Sequence, residues 1–314
     1  MRLLALSLAA LVAGPSLAQT ALPTIQCKDG RANVIYAAGS TAIRPFLGFV
    51  AKLVAADGFT VVYQAQGSCT GAAAILDADP AKRLIKDVPA AGTRAANYAI
   101  AFAADGSARE CFLDPMGNTV DVGASDVYPE TCGYQLGSSA SDYEGPVQPM
   151  TLVVSAVSSH TVVSAEAAYM AFGMGGNGGK SAPWTDPTFF FVRNASSGTQ
   201  QMVGRAVGVP ADKWWGVDRG GSGAVRTGMK TLLDARGAEK GIGILSTDIA
   251  DEERANLRVL AFKAFGAKCG YLPDSTATSL DKRNVRDGHY PIWGPVHFMT
   301  RTTGAFPALQ RARW

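Results

Sequence analysis

Val34-Ile35-Tyr36-Ala37-Ala38-Gly39-Ser40-Thr41 decides the reading of this chain. Val34 to Ala37 has the apolar run of a short buried strand, which ends in Gly39 and two hydroxyl residues. Pro45 suits the first turn of a helix, and Phe46, Phe49, Val50, Leu53 and Val54 recur at helical spacing behind it. A strand that runs through Gly-Ser-Thr directly into a helix is the repeating unit of an open α/β sheet.

The same design returns downstream. Thr60 to Ala65 is a second strand, which ends at Gly67-Ser68 before an Ala-rich helix from about Thr70. Strand character reappears at Val120 to Ala124 and stops at Ser125-Asp126, and Thr151 to Val157 is another apolar strand before a helix over Ala165 to Phe172. Thr188 to Arg193, with three consecutive phenylalanines, leads into Asn194-Ala195-Ser196-Ser197-Gly198-Thr199 and a helix from about Gln200. A helix near Ala224 to Ala235 and strands at Ile242 to Leu245 and Leu257 to Phe262 complete the alternation. The pattern predicts an α/β fold of open mixed sheets flanked by helices, not a sandwich or a helical bundle. Between Asp79 and Asn118 the period lapses, and the segment reads as an irregular insertion.

Composition narrows the class. With 47% hydrophobic and 18% charged residues the chain is built to fold, and nearly 300 residues beyond the leader suit two lobes better than one core. A net charge of +3 without basic stripes argues against nucleic acid or an anionic membrane as partner. Met1-Arg2, the apolar run Leu3 to Val12, Gly14-Pro15 and Ser16-Leu17-Ala18 read as a signal peptide over residues 1–18, with export to the periplasm or beyond after cleavage near Ala18. Five cysteines in that oxidising setting predict two disulfides and one free thiol. Spacing leaves the connectivity open, although Cys111 and Cys132 bracket one strand and make the preferred pair. Three histidines and the absence of any Cys-x-x-Cys predict no metal, and no cofactor is expected.

Four segments share one signature: Gly39-Ser40-Thr41, Gly67-Ser68, Ser125-Asp126 and Ser196-Ser197-Gly198-Thr199 each end a strand in small or hydroxyl residues before a helix or turn. Any one of them could simply cap a helix. Together, beyond the carboxyl ends of parallel strands and beside Arg193, they predict a site for a small oxyanion held by hydrogen bonds.

These residues carry a resemblance. Ala38-Gly39-Ser40-Thr41, Tyr63-Gln64 with Gly67-Ser68, Asp121-Val122-Gly123-Ala124-Ser125-Asp126, Arg193 with Ser197-Gly198-Thr199, Gly241-Ile242-Gly243 and Asp287 to Ile292 occur in the order seen in the phosphate-binding periplasmic proteins of ABC transporters. The chain thus resembles the PstS-like members of the type II solute-binding proteins. The resemblance implies a two-lobe periplasmic binding protein-like fold with the ligand in the cleft, one lobe over 27–150 plus 258–314 and the other over 151–257. It implies a monomer that is not an enzyme, with inorganic phosphate or a similar oxyanion and a membrane permease as partners. Ser40, Thr41, Ser68, Ser197 and Thr199 would then donate to the anion, helped by the Gly198 and Thr199 amides. Asp126 would accept the proton of monohydrogen phosphate, and Arg193 would pair with its charge. An ionised carboxylate can only accept hydrogen bonds, so it favours a protonated anion over sulfate. Two positions depart from the family: Ala195 replaces an Asp that orients the arginine, and Ala42 replaces an aromatic residue.

Other classes have less to build on. A phosphatase-like hydrolase on the same fold would need a nucleophile, and Gly220 to Ala224 fails the hydrolase elbow at its last position. Ser279-Leu280-Asp281-Lys282 matches Ser-x-x-Lys, but in the wrong order relative to Arg226-Thr227-Gly228. A surface protein that keeps the fold without a ligand is the remaining alternative. His160, His289 and His297 form no ligand triad by spacing, and Trp214, Trp215 and Trp293 read as packing residues.

Overall fold

Ala140 to Ser155 forms one strand of 16 residues, and the rest of the chain is arranged about it. The computed structural model describes residues 23–89, 95–176, 182–232 and 234–303, so the expected leader lies outside the described residues. The large sheet contains β1 (Val34–Gly39), β2 (Thr60–Ala65), β3 (Ala99–Phe102), β4 (Ala108–Cys111), β5 (Val122–Ser125) and the long β6 (Ala140–Ser155). It continues with β7 (Phe190–Val192), β8 (Val217–Asp218), β9 (Ile242–Ser246), β10 (Leu257–Val259) and β11 (Trp293–Arg301). The order is β8-β7-β9-β6-β11-β5-β1-β2-β3-β4, with β10 also paired to β6. The helices that matter for the site are α1 (Arg44–Ala55), α2 (Ser68–Leu76), α3 (Ala165–Met174), α4 (Gly198–Val207) and α5 (Ser222–Lys230).

The long strand belongs to both lobes. Its first part pairs antiparallel with β11, from Ala140↔Arg301 to Pro149↔Trp293. Its last part pairs with β9 through Met150 to Val153 and with β10 through Val153 to Ser155. Pro149 to Ser155 is buried along its whole length, which is why Met150 to Val154 reads as a continuous apolar run and not as an alternation. The Met150 amide donates to the Ile292 carbonyl at 2.9 Å, so the chain's outward and return crossings lie side by side. The two sheets expected from the sequence are therefore one continuous ladder.

Each side of that ladder carries its own cores. In the first lobe β1 lies between β2 and β5, parallel to both, with α2 against it and α1 packed on β2 in a core that Ile35 and Ala37 of β1 share. In the second, Phe172 of α3 stacks on Trp214 at 4.4 Å and meets Phe190 edge-on at 5.8 Å, among Leu152, Val203 and Ile244. Truncating so enclosed an aromatic as Phe172 to Ala costs about 3–5 kcal/mol. Val285, Tyr290 and Ile292 pack in that same core, and Ala261–Lys263 pairs with Val162–Ser164. Much of the segment 258–292 thus lies against α3, α4 and the end of β6, before β11 begins at Trp293.

Three further expectations are corrected. The stretch between Asp79 and Asn118 is not irregular: it contributes β3 and β4, which extend the first lobe's sheet antiparallel beyond β2. On α1 the inward face is Leu47, Val50 and Ala51, while Phe49 and Leu53 are 71% and 73% exposed. The cysteine count holds but the pairing does not. Cys27 bonds Cys111 and Cys69 bonds Cys132, leaving Cys269 free and exposed. Cys111 is taken by the N-terminal segment, where the Cys27 amide donates to the Phe112 carbonyl and the Phe112 amide to that of Ile25. Cys132 instead closes a short 3₁₀ turn, Pro129–Cys132, that packs on α2. Among the described residues no helix is long and apolar enough to cross a membrane.

Candidate functional site

Two glycine contacts bring the first lobe's polar residues together. Gly39 ends β1 at φ +141°, where a Cβ would sit 1.8 Å from the Ala124 carbonyl oxygen. Only glycine lets the chain turn there and deliver Ser40 beside the end of β5. Gly71 of α2 and Gly123 of β5 face each other so closely that a Cβ at 123 would lie 2.2 Å from the Gly71 carbonyl oxygen. This seats the N-terminus of α2, and Ser68 with it, against the residue that follows β5, Asp126.

Asp126 is the centre of that group and is 1% exposed. Ser40 Oγ and Ser68 Oγ, the latter at 3.0 Å, both donate to Oδ2. Ser68 Oγ in turn accepts from the Asp126 amide at 3.1 Å and, across the cleft, from the Gly198 amide at 3.2 Å. The other carboxylate oxygen, Oδ1, is buried and has no partner among the described residues. Burial pushes the Asp126 carboxyl up to about 6, against the downward pull of the two serines. Ser40 is itself held by Tyr63, whose hydroxyl donates to the Ser40 carbonyl at 2.5 Å.

The second lobe supplies the cation. Arg193 follows β7, is 2% exposed, and has its amide fixed by Gln200 Oε1 at 2.8 Å. Its Nε donates to the Gly220 carbonyl at 2.8 Å, and Nη1 donates to Ser222 Oγ at 2.9 Å and to Thr41 Oγ1 of the first lobe at 3.1 Å. The carbonyl and the two hydroxyls orient the guanidinium where the resembled family uses the Asp that is Ala195 here. Burial draws the guanidinium down to about 10, and the field of Asp126 offsets part of that shift. An interior cation and an interior carboxylate, neither in a direct ion pair among the described residues, are costly unless something completes them.

The structure brings the predicted residues together in two linked groups. Ser40, Ser68, Asp126 and Gly198 form one, and Thr41 and Arg193 form the other together with Ser222. Ser197 acts as the cap of α4, its Oγ accepting from the Gln200 amide at 3.4 Å, and Thr199 is buried in that helix's first turn. The hydroxyl protons of Ser40 and Ser68 are directed to the carboxylate, not into open space. Sequence reasoning missed Ser222, which carries the same signal as the others, a hydroxyl after glycines at the start of a helix. Its strand, β8, has only two residues and no readable period. Ala42, the other departure, is buried among the second lobe's core residues, where a larger side chain would have to displace them.

Other candidate groups are occupied elsewhere. Lys282 Nζ is bound to Asp251 at 2.5 Å and Asp274 at 2.8 Å, so it activates no serine. His160 pairs with Glu239, His297 with Asp142, and His289 stacks on Tyr271. Among the described residues no cluster of His, Cys, Asp and Glu could hold a metal. A largely apolar cavity of about 890 Å³ lies beside the site, between Val127, Tyr128, Met202 and Trp293.

No sequence family matches the chain, and no curated protein does. Among solved structures it is similar to a putative phosphate ABC transporter substrate-binding protein with bound phosphate from Clostridium perfringens, at 14% identity and a TM-score of 0.56, covering 85% of this chain and 86% of that one. An ABC-type phosphate transport receptor from Vibrio cholerae matches at 14% identity and TM-score 0.49, over 88% and 91%. The reduced OxyR regulatory domain from Pseudomonas aeruginosa matches at 9% and 0.45, over 89% and 94%. The fold is that of the two-lobe, type II periplasmic binding proteins.

Proposed function

We propose that this protein is an exported, monomeric solute-binding protein that captures phosphate or a closely related tetrahedral oxyanion and passes it to the permease of an ABC transporter. One observation carries the reading: a buried Asp126 whose Oδ1 is unpartnered among the described residues shares a cleft with a buried Arg193 whose Nε and Nη1 are held by a carbonyl and two hydroxyls and not by a carboxylate. A protonated oxyanion satisfies both at once, donating its hydrogen to Oδ1 and accepting from the guanidinium. The amides at the start of α2 and α4 add partial positive charge without a basic surface. Asp126 comes from one lobe and Arg193 from the other, so a bound anion favours the closed arrangement through contacts it cannot make to either lobe alone. The likeness in fold to a protein crystallised with phosphate supports the same ligand class, and two disulfides suit an oxidising compartment.

Titration calorimetry of the mature protein with phosphate and with sulfate at neutral pH tests the reading. Phosphate binding with little or no sulfate binding is expected. Absence of heat with either anion, confirmed by an unchanged melting temperature, would reject it.

A further inference from the structure

Cys69 and Cys132 each follow a residue of the anion cluster. Cys69 follows Ser68 in the first turn of α2, and Cys132 ends the turn that begins three residues after Asp126. Their disulfide, with Cα atoms 5.1 Å apart, ties the residue after Ser68 to the turn that follows Asp126, and Ser68 and Asp126 exchange hydrogen bonds at 3.0 and 3.1 Å. The Cys69 amide also donates across the cleft to the Ser196 carbonyl at 2.9 Å, so the same residue carries a contact between the lobes. Apart from the bridge, this end of α2 is held by hydrogen bonds: the Gly67 amide donates to the Gly39 carbonyl at 2.8 Å, and Ser68 Oγ bonds Asp126 and the Gly198 amide. The cap of α2 is Gly67, at φ +119°, which offers no side-chain hydrogen bond, and its seat on the sheet is the bare Gly71 to Gly123 contact.

The second bridge differs in both respects that matter. Cys27 and Cys111 are 2% and 0% exposed and join segments that hold no residue of the cluster. Cys69 and Cys132 are both partly exposed. A thiol can therefore reach the bridge at the site while the remote one stays protected.

We propose that the Cys69–Cys132 disulfide is a positioning device for the anion site, and that a dithiol reductant releases it with the fold intact. The inference rests on the oxyanion reading above. In the step, one thiolate of the dithiol attacks a sulfur of the bridge and the S–S bond breaks through a mixed disulfide, which the second thiol resolves. The two protein sulfurs gain two electrons and two protons, and the dithiol leaves as its own disulfide. Without the bridge, the turn carrying Ser68 is free to part from Asp126, and the carboxylate loses one of its two hydroxyl donors.

The test uses the folded mature protein. It is treated with dithiothreitol without denaturant, alkylated to identify by mass spectrometry which bridge opened, and titrated with inorganic phosphate. The variants Cys69→Ala/Cys132→Ala and Cys27→Ala/Cys111→Ala are titrated and melted in parallel. Loss of the bridge at the site, by either route, is expected to weaken phosphate binding by about tenfold or more, the scale of one hydrogen bond to a charged group. Reoxidation of the reduced wild type restores the affinity. Loss of the remote bridge lowers the melting temperature and leaves the affinity unchanged. Unchanged affinity after loss of Cys69–Cys132, or unfolding by both routes, would overturn the inference, because the bridge would then be only a structural staple. Wild-type protein that binds neither phosphate nor sulfate would overturn the oxyanion reading and this inference with it.

Discussion

The Gly198 amide lies 3.2 Å from Ser68 Oγ, so the first turn of α4 in one lobe rests on the first turn of α2 in the other. This contact depends on a missing side chain. A Cβ at 198 would stand 2.3 Å from Ser68 Oγ and 2.8 Å from the Asp126 side chain. Gly198 is not held at a positive φ, so its own backbone admits alanine, and the nearest atoms a Cβ would meet belong to Ser68 and Asp126.

Gly198→Ala is therefore expected to block closure without unfolding either lobe. Phosphate affinity falls by about a hundredfold or more, as when a rigid clash replaces a charge-assisted contact. The melting temperature of the free protein stays close to wild type. Small-angle scattering, which reads the separation of the lobes, should show no compaction when phosphate is added.

Asp126→Asn exchanges a pure acceptor for a group that also donates. Discrimination between phosphate and sulfate is expected to shrink by about tenfold or more, since sulfate no longer faces an unpaired buried acceptor. Competition calorimetry with both anions at neutral pH measures the ratio directly. In the wild type the same loss of discrimination is expected as pH falls through about 6, where Asp126 takes up its own proton.

Stability follows the same carboxyl. An acid whose folded pKa lies above its unfolded value binds its proton more tightly when folded, so the stabilisation is complete below the unfolded value and is lost as pH rises through the folded one. For Asp126 the window runs from 3.8 to about 6. In the absence of anion, the unfolding free energy of wild type minus that of Asp126→Asn is expected to decline across this window by about 2–3 kcal/mol, because each pH unit between the two values is worth about 1.36 kcal/mol. Asp121, also raised to about 6 by burial, contributes to both proteins and cancels in the difference. Denaturant titrations at several pH values would show this slope, and a flat difference would contradict the buried, unpaired state of the carboxylate.

Arg193 is set by three acceptors in different directions: the Gly220 carbonyl, Ser222 and Thr41. A lysine ammonium is a single point charge and cannot span them. Arg193→Lys is expected to reduce phosphate affinity by about a hundredfold, and Ser222→Ala by about tenfold, because the latter removes one orienting partner and keeps the charge. If Ser222→Ala has no effect, then the guanidinium is positioned by Gly220 and Thr41 alone.

Much of this was legible in the sequence because strand, glycine, hydroxyl and helix follow one another within a few residues at Ser40, Ser68 and Gly198. Such local order survives translation into three dimensions. What was not legible depended on partners far along the chain. Ser222 meets Thr41 across 181 residues and belongs to a strand of two residues. The disulfide pairing followed from where the N-terminal segment lies against Phe112, which spacing does not encode. Phe49 and Leu53 have helical spacing, yet they lie on the solvent side of α1, because period alone does not say which of two apolar stripes meets the sheet. Tyr290 and Ile292 pack with Met150 and its neighbours, a placement that depends on residues about 140 positions earlier.

The place of β11 has a temporal consequence. Trp293 to Arg301 enters the ladder between β5 and β6, two strands that precede it by well over a hundred residues. Until that strand is made, β5 and the first part of β6 lack the neighbour that each has in the finished ladder. The seam between the two halves of the sheet is thus the last part of it that synthesis supplies.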